Sequence, residues 1–263
     1  MENFAYHRPA KIADAVKLAK KKDAKLMSGG MTLLPTMKQG LASPSDIIDL
    51  GGLGNSGVKA SAKSVVVKAG TTHAEVTASK DVKKAIAALA SLAGGIGDPH
   101  VRNRGTVGGS ISNNDPAADY PSAVVGLNAT VHTNARKIAG DKFFTGMFET
   151  ALKAGEIVTA VEFPVVKRAG YAKFPNPASR YAMVGVFVAE LKDGSVRVAV
   201  TGAGPKVFRV PEMEAALEKK FSADSIAGIS VKAKGLNTDM HASAAYRAHL
   251  VNVMARRAVA AAK

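Results

Sequence analysis

The sequence predicts an α+β chain of two domains, and three observations carry that reading. Up to Leu50, apolar positions at helical spacing alternate with short apolar runs that end in glycine. Composition shifts to Pro, Lys and Gly over residues 164–177, which marks a boundary. Beyond it, two apolar β-rich runs flank Lys192-Asp193-Gly194-Ser195, the pattern of a β-hairpin. The expected domains are 1–165, with lobes of about 1–55 and 56–165, and 166–263. The whole chain of 263 residues is long enough to bury a sizeable core.

The elements follow in chain order. Ile12, Ala15, Val16 and Ala19 recur at helical spacing with lysines between them, an amphipathic helix. Lys25-Leu26-Met27 reads as a short strand stopped by Ser28-Gly29-Gly30. A short helix follows over 33–39, with Pro35 tolerated in its first turn. Ile47-Ile48-Asp49-Leu50 is a second strand, and 51–57 a loop, so the first unit is a small α/β layer. Val65-Val66-Val67 opens the second unit, with helices over 73–79 and 82–92 and a glycine-rich loop at 94–97. Strands are expected at 130–133 and 157–163. In the third region the hairpin pairs 183–191 with 196–200, and a helix over 211–219 has Pro at its first position. Tyr246, Leu250, Val253, Met254 and Arg257 line one face of a long last helix.

Composition excludes several classes of function. Hydrophobic residues make up 47% and charged residues 22%, which argues against wholesale disorder. Cysteine is absent, so this chain offers no disulfide framework, thiolate zinc site or cysteine-ligated iron–sulfur cluster. His7, His73, His100, His132, His241 and His249 are dispersed without metal-ligand spacing, so no metal is expected. The formal charge of +15 reads as a solvated basic surface that aids solubility or docks an acidic partner. No nucleic-acid motif accompanies it, so no nucleic acid is expected. No apolar run is long enough for a membrane span. The N-terminus lacks the basic start and apolar core of a signal peptide, so the expected location is cytoplasmic. Asn128-Ala129-Thr130 matches a glycosylation sequon that such a location leaves incidental.

Two glycine-rich stretches carry the chemistry. The first, Leu26 to Pro35, is a strand running into paired glycines and then a helix start, where backbone N–H groups lack internal partners. Such a turn suits an anion, and glycine lets main chain approach a bulky ligand. Taken alone, a tight strand-to-helix turn is the simpler explanation. It is neither a Walker A sequence nor G-x-G-x-x-G. The second, VRNRGTVGGSISNNDPAADYP at 101–121, concentrates Gly, Asn and Asp where there is no obvious acid, base or nucleophile. Gly105, Gly108 and Gly109 are expected to expose N–H groups. Thr106, Ser110 and Ser112 add hydroxyls, and Arg102 and Arg104 can pair with phosphate or with an acidic neighbour. Asp115-Pro116 reads first as a turn or a helix start. Two such segments suggest a long anionic ligand gripped mainly by main chain.

Ser-Gly-Gly-Met-Thr-Leu-Leu-Pro at 28–35, Arg-Asn-Arg-Gly-Thr-Val-Gly-Gly-Ser at 102–110 and Asp-Pro-Ala-Ala-Asp at 115–119 together resemble the FAD-binding medium subunit of the molybdenum hydroxylases, the group of carbon monoxide dehydrogenase and xanthine dehydrogenase. Tyr246-Arg247-Ala248-His249-Leu250 and Arg256-Arg257-Ala258 resemble the end of that subunit's last domain, so the likeness spans essentially the whole chain. The resemblance implies a two-lobed FAD-binding domain of the vanillyl-alcohol-oxidase (PCMH) type, followed by a smaller α+β domain. It implies that Leu26, Met27, Ser28, Gly29, Gly30, Met31, Thr32 and Leu33 wrap the diphosphate and ribityl chain. Ile96 and Gly97 then approach the cofactor, and Thr106, Val107, Gly108, Gly109 and Ser110 complete the cradle. Asp119 hydrogen-bonds the sugar portion, and Val158 packs near the adenine or flavin.

Departures from the family pattern are Met31-Thr32, Ser110, and Pro175, which stands about where some relatives carry a lysine near the flavin. The resemblance further implies partners: a large subunit with the molybdenum–pterin cofactor and a small subunit with [2Fe–2S] clusters, assembled as a dimer of heterotrimers. Electrons reach FAD from the clusters and leave to NAD⁺, a quinone or oxygen. No catalytic acid or base is needed, because the cofactor carries the chemistry. Two other readings are a self-sufficient FAD-dependent reductase or oxidase on the same scaffold, and a basic binding protein without cofactor.

Overall fold

The structure, a computed structural model, describes residues 2–263. The chain builds three main sheets in succession, with a further two-stranded hairpin in the second lobe. The first contains β1 (Ala5–His7), β2 (Lys25–Met27) and β3 (Asp46–Asp49), with α1 (Ile12–Leu18) and α2 (Leu33–Lys38) as crossovers. All pairing is parallel in the order β1-β3-β2, so β2 is an edge strand. Its core is small: Ala15 and Ile48 pack with Ile157 from the next lobe.

The second lobe begins with β4 (Val58–Ala60) and β5 (Ser64–Lys68), followed by α3 (His73–Ala78), α4 (Lys80–Ala85), α5 (Ala87–Gly94), α6 (Pro99–Arg104), α7 (Val107–Asn113) and α8 (Tyr120–Gly126). Then come β6 (Thr130–Thr133), β7 (Lys137–Ala139), α9 (Gly140–Phe143), the short hairpin β8 (Phe144–Gly146) and β9 (Glu149–Thr150), and β10 (Val158–Pro164). Its antiparallel sheet runs β4-β5-β10-β6-β7. The single helix expected over 82–92 is broken at Ile86, where φ is −148° and ψ 74°. Only Val82 of α4 is buried, whereas α5 is buried almost all round. One straight helix cannot lie on the surface and in the interior at once.

The third sheet is β11 (Arg168–Pro175), β12 (Ala182–Glu190), β13 (Val196–Thr201) and β14 (Phe208–Arg209), with α10 (Pro211–Lys219) and α11 (Ala244–Ala261). The Pro/Lys/Gly run read as a separator is therefore mostly strand: β11 pairs with β12 along its length, with a register shift only at Pro175. Every residue of β12 is buried, because α8 covers one face of this sheet and α11 the other. That explains its unbroken apolar run. The buried stripe of α11 is Arg247, Leu250, Val251, Met254 and Ala258, while Tyr246 and Arg257 face outward. The expected stripe was displaced because Arg247 turns inward, donating to the carbonyls of Met183 (2.6 Å) and Gly202 (3.1 Å).

The main core does not stop at the domain seam. Phe187, Ala189 and Ala199 of the third sheet join the cluster built on Val67, Leu89, Tyr120 and Phe163. Arg197 reinforces the seam: it is 7% exposed, its Nε donates to the Val125 carbonyl at 2.8 Å, and it pairs with Asp141. Replacing it by an apolar residue removes this cross-seam hydrogen bond and the pairing with Asp141, a loss of about 1–3 kcal/mol. Arg197→Met is expected to lower the urea midpoint accordingly, with secondary structure by circular dichroism unchanged; an unaltered midpoint would show that the seam does not depend on this side chain.

Candidate cofactor-binding cleft

The first turn arises because β2 ends at Met27 and the chain reverses through Ser28, Gly29 and Gly30 into α2. Gly30 sits at φ 75°, in the left-handed region. Gly29 lies directly on the main chain of the second stretch. A Cβ there would stand 2.0 Å from the Arg104 carbonyl oxygen and 3.0 Å from Gly105 Cα, so no other residue permits the contact. Beside it the Thr106 hydroxyl donates to the Ser28 hydroxyl at 3.0 Å, across 78 positions of sequence. The two stretches thus meet, and they line one cleft of about 660 Å³. That is within the range of small-molecule and cofactor sites.

Leu26, Met27, Ser28, Gly29, Gly30, Met31, Thr32, Leu33, Gly97, Thr106, Gly108, Gly109, Ser110, Asp119 and Val158 all line this cleft. Ile96 and Val107 do not. Val107 is fully buried and Ile96 packs against the main core. The reason is helical: Thr106 caps α7, accepting from the Gly109 N–H at 3.1 Å, so successive residues point to different sides.

The expectation of bare amides in the second stretch is corrected. The Gly105 N–H donates to Val101 O (2.7 Å), that of Gly108 to Ala69 O (2.8 Å) and that of Gly109 to the Thr106 hydroxyl. Gly108 instead serves close packing, since a Cβ would lie 2.6 Å from that of Ala69. The bare amides belong to the first stretch. Among the described residues, the N–H groups of Gly29, Gly30, Met31, Thr32 and Leu33 find no protein acceptor, and Thr32 offers no side-chain cap. Five unpaired donors at one edge of the cleft fit a diphosphate bound through main chain.

The Asp-Pro-Ala-Ala-Asp segment ties the cleft to the third sheet. Ala182 N–H donates to Ala117 O at 3.2 Å and Gly202 N–H to Pro116 O at 2.8 Å. The Thr201 hydroxyl reaches Ala118 O at 2.6 Å. Asp119, 4% exposed, receives the Tyr171 hydroxyl at 2.5 Å and Lys173 Nζ at 2.9 Å, both on Oδ1. Its Oδ2 has no hydrogen-bond partner from another residue among those described. Burial pushes the Asp119 carboxyl up, and Lys173 and Tyr171 pull it back. Lys173 also donates to Gly95 O and Arg180 O. A cation thus stands two residues before Pro175, paired with Asp119. Strand alternation puts Tyr171 and Lys173 on one face of β11, a signal hidden while the segment read as a linker.

Other groups at the cleft were not legible either. His73 lies under Gly105, 4% exposed, with Nδ1 unpartnered and its ring 5.3 Å from that of Tyr120. Burial, aided by Arg102, pulls its pKa down to about 4, so it is neutral at pH 7. Tyr181 contributes a half-exposed ring, and burial with Asp115 and Asp119 nearby raises its phenol. Glu156, near Val158, is held down to about 2 chiefly by Arg136. No group of three metal-ligating side chains occurs among the described residues, and none of their helices is long and apolar enough to cross a membrane.

This geometry fits FAD, and comparison with known proteins agrees. The family model described as the FAD binding domain in molybdopterin dehydrogenase matches residues 2–166. The chain belongs to the FAD-binding medium subunits of the molybdenum hydroxylases. The family's C-terminal unit, the CO dehydrogenase flavoprotein C-terminal domain, matches residues 169–262. The nicotine 6-hydroxylase medium subunit of Paenarthrobacter nicotinovorans is 35% identical over 97% of this chain and 95% of its own length. The carbon monoxide dehydrogenase medium chain of Afipia carboxidovorans is 31% identical over 99% and 97%. A solved structure of carbon monoxide dehydrogenase from Hydrogenophaga pseudoflava superposes with a TM-score of 0.88 at 31% identity, covering 99% of this chain and 97% of that one. The fold is thus that of the FAD-binding domain with its C-terminal flavoprotein domain, and the chain is an oxidoreductase subunit.

Two predictions follow from the buried charges. An unfolded histidine titrates near 6.5, so between there and about 4 the unfolded chain binds a proton that folded His73 refuses. Stability is therefore present above about 6.5 and lost as pH falls through that window. His73→Leu is expected to lose about 2 kcal/mol less than the parent on going from about pH 7 to about pH 4.5, read from urea midpoints. Lys173→Met leaves Asp119 buried without its counter-charge, a loss of about 3–5 kcal/mol. Adding Asp119→Asn should recover much of it, and a double variant as unstable as the single one would show that the pair is not coupled.

Proposed function

We propose that this chain is the electron-exit subunit of a cytoplasmic heterotrimeric molybdenum hydroxylase. A large subunit oxidises the substrate at its molybdenum–pterin cofactor, and a small subunit relays electrons through [2Fe–2S] clusters to FAD held here. Two such trimers pair. The observation that carries the reading is the contact of Gly29 with the Arg104–Gly105 main chain, which brings two distant glycine stretches onto one cleft. When bound, FAD would supply the chemistry that joins one-electron delivery from the clusters to two-electron transfer to an external acceptor.

The chain's own residues bind and orient. The unpaired amides from Gly29 to Leu33 hold the diphosphate, with Leu26, Met27 and Ser28 shaping the strand end. Thr106, Gly108, Gly109 and Ser110 form the facing wall, and Gly97 closes a third side. Asp119, fixed through Oδ1, offers Oδ2 to a cofactor hydroxyl or N–H. Val158 packs on an aromatic ring. Lys173, locked by Asp119, Gly95 O and Arg180 O, would supply a fixed positive charge through Asp119 to the field in which a reduced cofactor is held. Division into an FAD-binding unit of 1–165 and a C-terminal unit of 166–263 fits this arrangement, the second supplying Tyr171 and Lys173.

Flavin content of the purified complex tests the reading. Gly29→Val separates the two stretches and is expected to abolish flavin absorbance at about 450 nm while the chain remains folded by circular dichroism. Gly228→Ala, at a position with nothing within 4 Å of an added Cβ, should retain it. Full flavin occupancy in folded Gly29→Val would overturn the placement.

A further inference from the structure

His73 is buried at the cleft with no acid beside it to hold a proton. It opens α3, and the main chain around it is fully engaged. Its N–H donates to Gly105 O at 3.0 Å, its carbonyl accepts the Thr77 hydroxyl at 2.8 Å, and Thr72 and Thr106 form a β-bridge next to it. The ring is thereby set against Gly105, where an added Cβ would stand 2.6 Å from Nε2. Gly105 also meets Gly29, since a Cβ on Gly29 would lie 3.0 Å from Gly105 Cα. A single glycine thus separates Nε2 from the first of the bare amides.

The two ring nitrogens differ. Nδ1 is sealed from solvent without a partner. Nε2 also lacks a protein partner among the described residues, but it is not sealed, and His73 lines the cleft. The neighbouring ring at 5.3 Å is that of Tyr120, fully buried, whose hydroxyl is likewise sealed and unpartnered. Buried polar atoms without partners are rare. Among the described residues the remaining one is Arg247 Nε, on a guanidinium whose other nitrogens are engaged. Apolar side chains here would leave neither atom unmet, so packing alone does not explain a histidine against a tyrosine. Burial and the adjacent Asp119 raise the Tyr120 phenol, which therefore keeps its proton and can donate. A neutral imidazole has one donor nitrogen and one acceptor. If Nδ1 accepts, the proton sits on Nε2, the nitrogen that faces the cleft.

We propose that Tyr120, acting through one ordered water, fixes His73 in its Nε2–H form, and that Nε2–H donates to the diphosphate of bound FAD beside the amides that begin at Gly29. His73 is then a cofactor-binding residue, and Tyr120 is a positioning residue that acts through it. The proposal rests on FAD occupying the cleft. The donor carries no net charge, so it adds a directed hydrogen bond without a long-range field.

The test uses the whole purified complex, whose flavin content is measured first. The complex is then stripped of flavin and titrated with FAD by fluorescence quenching, with inorganic pyrophosphate as competitor. His73→Leu is expected to weaken FAD and pyrophosphate binding about tenfold. His73→Gln, whose amide can donate from a similar position, should recover most of that loss. Tyr120→Phe should weaken FAD by a smaller factor and have no further effect in the His73→Leu background. Because the donor is neutral, the loss should be the same at low and high salt. Parent-strength FAD binding in folded His73→Leu, or His73→Gln no better than His73→Leu, would overturn the proposal. Weaker FAD with unchanged pyrophosphate would overturn the assignment to the diphosphate, and independent effects of the two residues would overturn the role of Tyr120. If His73→Leu does not fold by circular dichroism, folded Tyr120→Phe binding FAD and pyrophosphate at parent strength overturns the proposal. A parent complex that neither contains nor takes up FAD would instead sink the underlying reading.

Discussion

The absence of a single Cβ organises this molecule. Gly29 lies against the Arg104 carbonyl and Gly105 Cα at distances no side chain allows, and the three-stranded parallel lobe can close on the larger lobe only because of it. The hydroxyls of Ser28 and Thr106 then meet, and the edge strand β2 becomes one wall of the cleft. Packing gives the small lobe little hold, because its fully buried apolar side chains are few, Ala15, Met37, Ile47 and Ile48, joined by Ile157 from its neighbour. The contact is between backbones, so it is sharp in geometry rather than large in area.

The two glycine stretches divide the work between them. The first keeps its amides free and can hold an anion; the second uses its amides internally and turns its glycines to close packing. Rigid support on one side and unsatisfied donors on the other is a physical description of a preorganised site. The third sheet completes it. Its strands receive the carbonyls of 116–118, and β11 brings Tyr171 and Lys173 to Asp119, so the C-terminal unit fixes the electrostatics of a cleft that it lines only in part.

Much of this was legible in the residues. The order of elements, the hairpin, the proline-started helix over Pro211–Lys219 and the two glycine turns all follow from local chemistry. Misreadings share one cause. β11 looked like a separator because proline, lysine and glycine are poor strand formers, and pairing with β12 overrode that preference. The stripe on α11 was rotated by Arg247, whose carbonyl partners Met183 and Gly202 lie more than forty residues away. Val107 joined the cleft in the reading because it sits between residues that do line it, and a helical turn sends it into the core.

By itself the sequence determined which segments could be turns, helices or strands, that cysteine chemistry does not belong to this chain, and where glycine leaves the main chain open to close approach. These follow from composition, periodicity and side-chain size, which act over a few residues. Tertiary structure alone decided which amides stay free, which oxygen of Asp119 is already taken, and that Lys173, Arg102 and Arg180 gather on the turn at Gly95–Gly97. Those outcomes depend on contacts between residues far apart in the chain, and no local pattern encodes where two distant segments come to touch.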